Sequence, residues 1–464
     1  MAELLLAHGY FLYEDPKELQ ILKPYAPLGI LYLCSHLRKQ GFDVEVFDTT
    51  FSSRDALFSH LRSEKPSVLG IYANLMTRKN VVETLKVARE AGWKTIVGGP
   101  EPGAYALEYL QSGADFVVFG EGELTVGELL ESFRAGVNSY STIAGIAYLD
   151  SAGTMHETGQ RTQISDLDSQ PWPARQAIDI HRYVKTWRDA HGKGSVNFIT
   201  ARGCPYKCRW CSHQVFGQTH RRRNPLLVVD EVEWLLNTYS PDMVWVSDDV
   251  FTINHQWLRN YAAEMRKRRL RIPFECISRA DRLNPEMLDL LAELGCFRIW
   301  IGSESGSQRI LDSMDRGVKI EQVQQAVAMS RERGIESGMF LMWGYEGEDL
   351  DDIEATIRHV STSQPDIFFT TVSYPIKGTP YYKKMSDRLV QLQPWGTSSD
   401  RELKIKGRHS QKFYGYADRL LREEVQLARL AGSGAANSES AASLRHSIEQ
   451  ARAGLLSTVS EVEA

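Results

Sequence analysis

Short apolar runs alternate with amphipathic stretches of helical spacing over residues 1–150, and again over 195–385. A run of four to eight apolar residues is too short for a core helix and reads as a strand buried on both faces. A helix that follows it brings the chain back for a parallel neighbour. The first set runs ELLLAHGY, PLGILYLCSHLRKQG, DVEVFD, SRDALFSHLRSEKP, SVLGIYANL, NVVETLKVAREAG, KTIVGGPEPG, ADFVVFGEGE and LTVGELLESFRAG. It predicts an α/β domain with a doubly wound parallel sheet over 1–150. Ligands of such sheets sit outside the carboxyl ends of the strands. Those ends carry Tyr72-Ala73-Asn74, Gly98-Gly99-Pro100-Glu101 and Gly120-Glu121-Gly122-Glu123. Glycines there let backbone approach a large flat or phosphorylated ligand. No Gly-x-Gly-x-x-Gly follows the first strand, which argues against a nicotinamide cofactor.

Residues 142–161 read as a β-hairpin closing this domain. Residues 151–194 are assigned as an ordered linker, with two prolines around Trp172 and little periodicity. From SVNFITA onward, six strand–helix repeats predict a partial (β/α)6 barrel over 195–385. Barrel enzymes place their chemistry at the C-terminal strand ends. The sequence puts polar groups there: Ser247-Asp248-Asp249, Ser278-Arg279, Ser303-Glu304-Ser305, Gly344-Tyr345-Glu346 and Tyr374. Residues 386–464 form a helical tail, with a small polar stretch, AGSGAANSESAAS, read as a flexible linker.

The 464 residues suffice for two or three domains. Net charge is −5 and the pI about 6.2, without the basic balance of a nucleic-acid binder. The basic runs 220–224 and 266–271 read as solvated surface. No signal-peptide pattern and no apolar run long enough to span a membrane is present, so a cytoplasmic protein is expected.

Three of six cysteines, Cys204, Cys208 and Cys211, fall within eight positions just after an apolar strand. Thiolates bind soft metals and iron–sulfur clusters. Spacings this short bring three sulfurs around one cluster. A zinc site made with His213 is the alternative, although no second cysteine pair completes the usual two-knuckle arrangement. The isolated Cys34, Cys276 and Cys296 read as core residues.

Cys-x3-Cys-x2-Cys after a strand, with Trp210 before the last cysteine, resembles the motif of radical S-adenosylmethionine (SAM) enzymes. The first domain resembles the cobalamin-binding domain found upstream of many of them, through PLGILYLCSHLRKQGFDVEVFD, GGPEPGAYALEYL and ADFVVFGEGE. The resemblance implies a 4Fe-4S cluster held by Cys204, Cys208 and Cys211, with one iron left open for SAM. It implies SAM contacts from Trp210, Ser247, Asp248, Asp249, Arg279, Ser303, Glu304 and Gly344. Cobalamin contacts are implied for Pro27, Leu28, Gly29, Tyr72, Ala73, Asn74, Gly98, Gly99, Pro100, Glu101, Gly120, Glu121 and Gly122. The Asp-x-His-x-x-Gly motif that supplies a histidine to cobalt is absent, so cobalt is expected without a motif histidine. The implied activity is methylation of an unactivated carbon of a small-molecule substrate, with a flavodoxin or ferredoxin as electron donor. An oxidative or cyclising reaction and a non-catalytic sensor are the alternatives.

Overall fold

The computed structural model describes residues 2–213 and 215–463. Its first sheet has seven strands in the order β2-β1-β3-β4-β5-β6-β7: β1 Leu4–His8, β2 Val44–Val46, β3 Val68–Tyr72, β4 Lys94–Gly98, β5 Phe116–Val118, β6 Ile146–Leu149 and β7 Met155–Glu157. The first five are parallel. The hairpin β6–β7 adds to the edge antiparallel. Side chains alternate along each strand, so the two faces bury different sets. Leu5, Ala7, Leu69, Ile71, Val97 and Val117 pack on one side. Leu4, Leu6, Val68, Ile96, Phe116 and Val118 pack on the other, against the helix Leu28–Lys39 and the helix Gly122–Arg134. This is the doubly wound arrangement expected from the continuous apolar runs.

The second sheet is parallel throughout, in the order β15-β14-β13-β12-β11-β8. Its strands are β8 Ser195–Phe198, β11 Met243–Val246, β12 Phe274–Ser278, β13 Cys296–Glu304, β14 Glu336–Trp343 and β15 Ile367–Val372. Between β8 and β11 the short pair β9 Ala201–Arg202 and β10 Arg221–Arg222 frames the cysteine loop. Outward residues such as Val196, Val244, Cys276, Ile299, Ile301, Met339 and Leu341 share one core with the surrounding helices. Asn254, Asn284 and Ser307 cap three of those helices with their side chains, satisfying N–H groups that the first turn leaves free. Cys34, Cys276 and Cys296 are buried, as expected.

Three features differ from the sequence reading. The linker contains a helix, Ile180–His191, whose Trp187 and Tyr183 are buried against the first domain. Its apolar positions fall on one stripe, but the prolines before it masked the period. The small polar stretch in the tail, 431–443, is a linker only over 433–438, a turn; its ends belong to the helices Gln411–Gly432 and Glu439–Ser457, which pack on each other. The basic run 220–224 is not solvated. Arg221 pairs with Glu121, Arg222 with Asp248 and Arg223 with Glu231, all largely buried. None of these partners is close in sequence except Glu231, which explains why a local charge pattern concealed them.

Candidate functional site

The carboxyl ends of the two sheets face one another across a cavity of about 650 Å3. One wall comes from the first domain: Pro27, Leu28 and Gly29, then Tyr72, Asn74, Gly98, Gly99, Pro100, Gly120, Glu121 and Gly122. A limb runs deeper between sheet and helices, past Leu6, Ile30, Gly70, Ile96, Val118 and Val126. The opposite wall is the barrel's: Asn197, Arg202, Cys204, Ser212, His213, Ser247 and Asp249. A Cβ on Gly99 would fall 2.3 Å from the Ala73 carbonyl, and φ there is +116°, so only glycine allows this strand end to pack so closely. At Gly29, by contrast, a Cβ would meet nothing within 4 Å, so that helix start opens onto free space.

Two expected members of this wall are absent from it. Ala73 is fully buried beneath Gly99. Glu101 turns away to accept from Arg78 at 2.7 Å and from the Tyr109 hydroxyl at 2.6 Å. Arg78 also reaches Asp400 at 2.6 Å, which ties the C-terminal region to the first domain. Glu121 does line the cavity, but its carboxylate is held by Arg202 at 2.6 Å and Arg221 at 2.7 Å. These buried, charge-assisted bonds cross from one domain to the other and fix the width of the cavity.

The cysteines lie on the loop between β9 and β10. Cys208 is buried, Cys204 half-buried and Cys211 exposed. Trp210 packs beside Ile310, Met314, Met342, Tyr345 and Tyr381. Backbone bonds from Arg209 to Met314 and from Tyr381 to Arg209, both 3.0 Å, pin the loop to the barrel rim. Among the described residues no three His, Cys, Asp or Glu side chains converge as one metal ion requires.

Around the loop, Asp249 lies at the floor of the recess, open to water yet enclosed by protein. That enclosure, with neighbouring Asp248, pushes its carboxyl up to about 6. Arg279 is buried; its Nε donates to Asp281 at 2.9 Å and its plane stacks 3.5 Å from the Tyr206 ring. Its Nη1 has no partner among the described residues. Glu304 ends β13 with φ +63°, a conformation a non-glycine residue holds at a cost. Its carboxylate makes no hydrogen bond within the described residues; Arg316 Nε stands 4.0 Å away. Burial raises the Glu304 carboxyl, partly offset by Arg316 and Arg279.

Three expected SAM contacts are directed elsewhere. Asp248 accepts from the backbone of Thr200 at 2.6 Å and of Ala201 at 3.1 Å, and from Arg222 at 3.2 Å. It holds the strand end that launches the cysteine loop. Ser303 faces outward and meets His359 Nε2 at 3.0 Å, because odd-numbered residues of β13 point to the helices. Gly344 is roofed by Tyr414, whose hydroxyl a Cβ would approach to 2.8 Å. Arg316 is a member that sequence reading missed. It donates to the Gly302 carbonyl at 2.8 Å and lies 3.8 Å from Cys208 Sγ. Its only sequence signal is its position one helix after β13.

Just beyond β14, Glu348 is buried and accepts from Gly344 N at 2.5 Å, and its other oxygen has no partner among the described residues. Burial pushes its carboxyl up to about 8. The folded state therefore binds this proton more tightly than the unfolded one. Its stabilising contribution is full below about 4.5 and is lost as pH rises toward 8. Glu348→Gln is expected to match the parent in thermal melts at pH 5 and to exceed it at pH 8.5, by about 1–3 kcal/mol, the scale of an unsatisfied buried polar group.

The barrel's inner face is aromatic. Trp300 stacks on Phe340 and Phe369 at centroid distances of 5.2 and 5.5 Å, and its Nε1 donates to Glu275 at 2.9 Å. Gly338 makes room for the indole, since a Cβ there would fall 2.2 Å from it.

The family model of the radical SAM superfamily matches residues 198–360, and that of the B12 binding domain matches residues 20–130. The chain is a radical SAM protein with a B12-binding domain. An uncharacterized methyltransferase of Pyrococcus horikoshii is 27% identical over 394 residues, covering 82% of this chain and 83% of its own. The anaerobic magnesium-protoporphyrin IX monomethyl ester cyclase of Cereibacter sphaeroides is 26% identical over 387 residues, covering 80% and 62%. Among solved structures, the radical SAM methyltransferase TsrM of Kitasatospora setae, with cobalamin and a 4Fe-4S cluster bound, superposes with a TM-score of 0.68. Its identity is 20%, over 83% of this chain and 75% of that one. That likeness carries the fold: a parallel-sheet B12 domain followed by a barrel-type radical SAM domain. The radical SAM protein described here is an enzyme whose cofactors are a 4Fe-4S cluster, SAM and cobalamin. The residues fit these groups: thiols on one loop, Glu304 without a hydrogen bond among the described residues, Arg279 paired with Asp281 but with Nη1 unpartnered, and a glycine-edged cavity against the B12 domain. No helix among the described residues is long and apolar enough to cross a membrane.

Proposed function

We propose that this enzyme transfers a methyl group to an unactivated carbon of a small-molecule or lipid-like substrate in the cytoplasm, with a low-potential donor such as flavodoxin or ferredoxin supplying electrons. The observation that supports this most is the shared cavity. Cys204 and the glycine-ended strands of the B12 domain line the same space, so a substrate held there would be within reach of both the cluster side and the cobalamin side. When bound, the cluster supplies the electron that cleaves SAM, and cobalamin supplies the methyl group. The chain's own part is to position and enclose. Glu304 and Arg279 hold polar groups of SAM, and Asp248 keeps the cysteine loop at the strand end. The Arg202–Glu121 and Arg221–Glu121 pairs keep the two walls together. The aromatic inner face offers apolar surface to a carbon substrate. The relatives named as methyltransferases support this reading; the cyclase relative supports the alternative of a reaction without net methylation.

The deciding experiment is anaerobic incubation with reductant, cobalamin, a small-molecule extract and SAM bearing a deuterated methyl group. A product carrying the intact deuterated methyl, formed together with 5′-deoxyadenosine and S-adenosylhomocysteine, is expected. Deoxyadenosine with a product of unchanged carbon count would favour cyclisation or oxidation. No product and no turnover of SAM would leave a binding protein.

A further inference from the structure

The loop that carries the cysteines also forms part of the cavity wall. Ser212 and His213 directly follow Cys211, and both line the cavity. The His213 backbone is fixed, its carbonyl accepting from Gly217 N at 2.9 Å. One side of its ring meets the Gly217 backbone, but His213 Nε2 is buried without a hydrogen-bond partner among the described residues, and so is Ser212 Oγ. Buried polar atoms are almost always partnered, so two adjacent exceptions on one cavity wall call for a ligand. Straight across stand the strand ends of the B12 domain. The rim of a corrin is set with primary amides, each both donor and acceptor. The free Nε2 of the imidazole offers a donor or an acceptor, and the hydroxyl offers both.

The geometry points to Ser212 and His213 as the barrel's hand-hold on the peripheral amides of cobalamin. The inference rests on the reading that this cavity takes cobalamin. It goes further in one respect: a single loop then serves two cofactors, so cluster and cobalamin bind with positive coupling. Ordering the loop on one ligand removes part of the cost of ordering it on the other, and the coupling is reciprocal. The occupant is a corrin amide rather than the organic substrate, because Ser212 and His213 line the same cavity as the B12-domain strand ends, whereas the aromatic residues Trp300, Phe340 and Phe369 do not line it.

The test measures hydroxocobalamin affinity, by quenching of tryptophan fluorescence, on the full chain under anaerobic conditions. Parent, His213→Leu and His213→Gln are compared with the cluster present and after its removal by chelation. Replacing the hydrogen-bonding ring by a side chain of similar size without polar atoms is expected to weaken cobalamin about tenfold, the scale of one or two hydrogen bonds. Iron content should be unchanged. The Gln variant, which keeps a donor and an acceptor, should bind within about threefold of the parent on the same scale. Stripping the cluster should weaken cobalamin in the parent and have less effect in His213→Leu. Parent-like affinity in the Leu variant with iron intact would overturn the assignment. Equal affinity with and without cluster would overturn the coupling. A parent chain that binds no cobalamin in either state would instead bring down the reading of the cavity itself. Should the Leu variant lose iron, Ser212→Ala, whose hydroxyl makes no bond among the described residues, decides by the same criterion.

Discussion

Protein with Cys204, Cys208 and Cys211 all replaced by alanine is expected to leave anaerobic reconstitution colourless, without iron or sulfide, and to form no 5′-deoxyadenosine at all. The parent should be brown and carry about four irons per chain. The loss is expected to be complete because the cleaving electron has no other source. The fold should survive. The loop lies between the short strands β9 and β10, and what anchors it at the rim is Trp210, packed into the apolar cluster there, and backbone bonds of Arg209 and Tyr381, all of which alanine at the cysteines leaves intact. Replacing Cys276 and Cys296 instead is the control. Both are buried in the barrel core, so that variant should lose stability and keep its iron in whatever fraction folds. Stoichiometric zinc in the anaerobic parent, with no iron after reconstitution, would refute the cluster assignment and return His213 to the list of ligands.

The strands and helices were legible because their apolar residues recur at periods that burial imposes. That β1, β3 and β4 are buried on both faces is written directly into LLLAH, VLGIY and KTIVG. The cysteine triad was legible because its spacing is local. What stayed hidden depends on partners brought together only by folding. Arg221 reads as one charge among three arginines until Glu121, a hundred residues earlier, is placed beside it. Asp248 and Asp249 are neighbours in sequence with opposite fates, since one turns inward to Thr200 and the other lies at the floor of the recess. Arg316 carries no motif, and only the course of the chain after β13 delivers it to Cys208. Ser303 and Glu304 sit together in one stretch, yet alternation along the strand sends the first to His359 and the register shift after Gly302 releases the second toward the site.

Glu304 is where catalysis and mere folding can be separated. A structural carboxylate at the end of a strand would be expected to cap the following helix or to close an ion pair. The structure assigns the cap to Ser307, whose hydroxyl serves the helix Gln308–Ser313, and leaves Glu304 with only a distant Arg316. The residue also holds a left-handed backbone that glycine would adopt without strain. A strained, half-buried acid with no hydrogen bond among the described residues is poorly explained by stability. It is well placed to accept from hydroxyl or ammonium groups of SAM. Glu304→Gln preserves shape and removes the charge. The variant is expected to keep its iron and its melting temperature, and to show a SAM affinity lowered by about ten- to a hundredfold, the worth of about 1.5–3 kcal/mol for a charged acceptor. Deoxyadenosine formation against SAM concentration, with iron measured in the same sample, reads this out. Saturation at the parent's concentration and yield would make Glu304 a structural residue. A lowered melting temperature with unchanged saturation would say the same, and would shift attention to Arg279, whose Nη1 has no partner among the described residues.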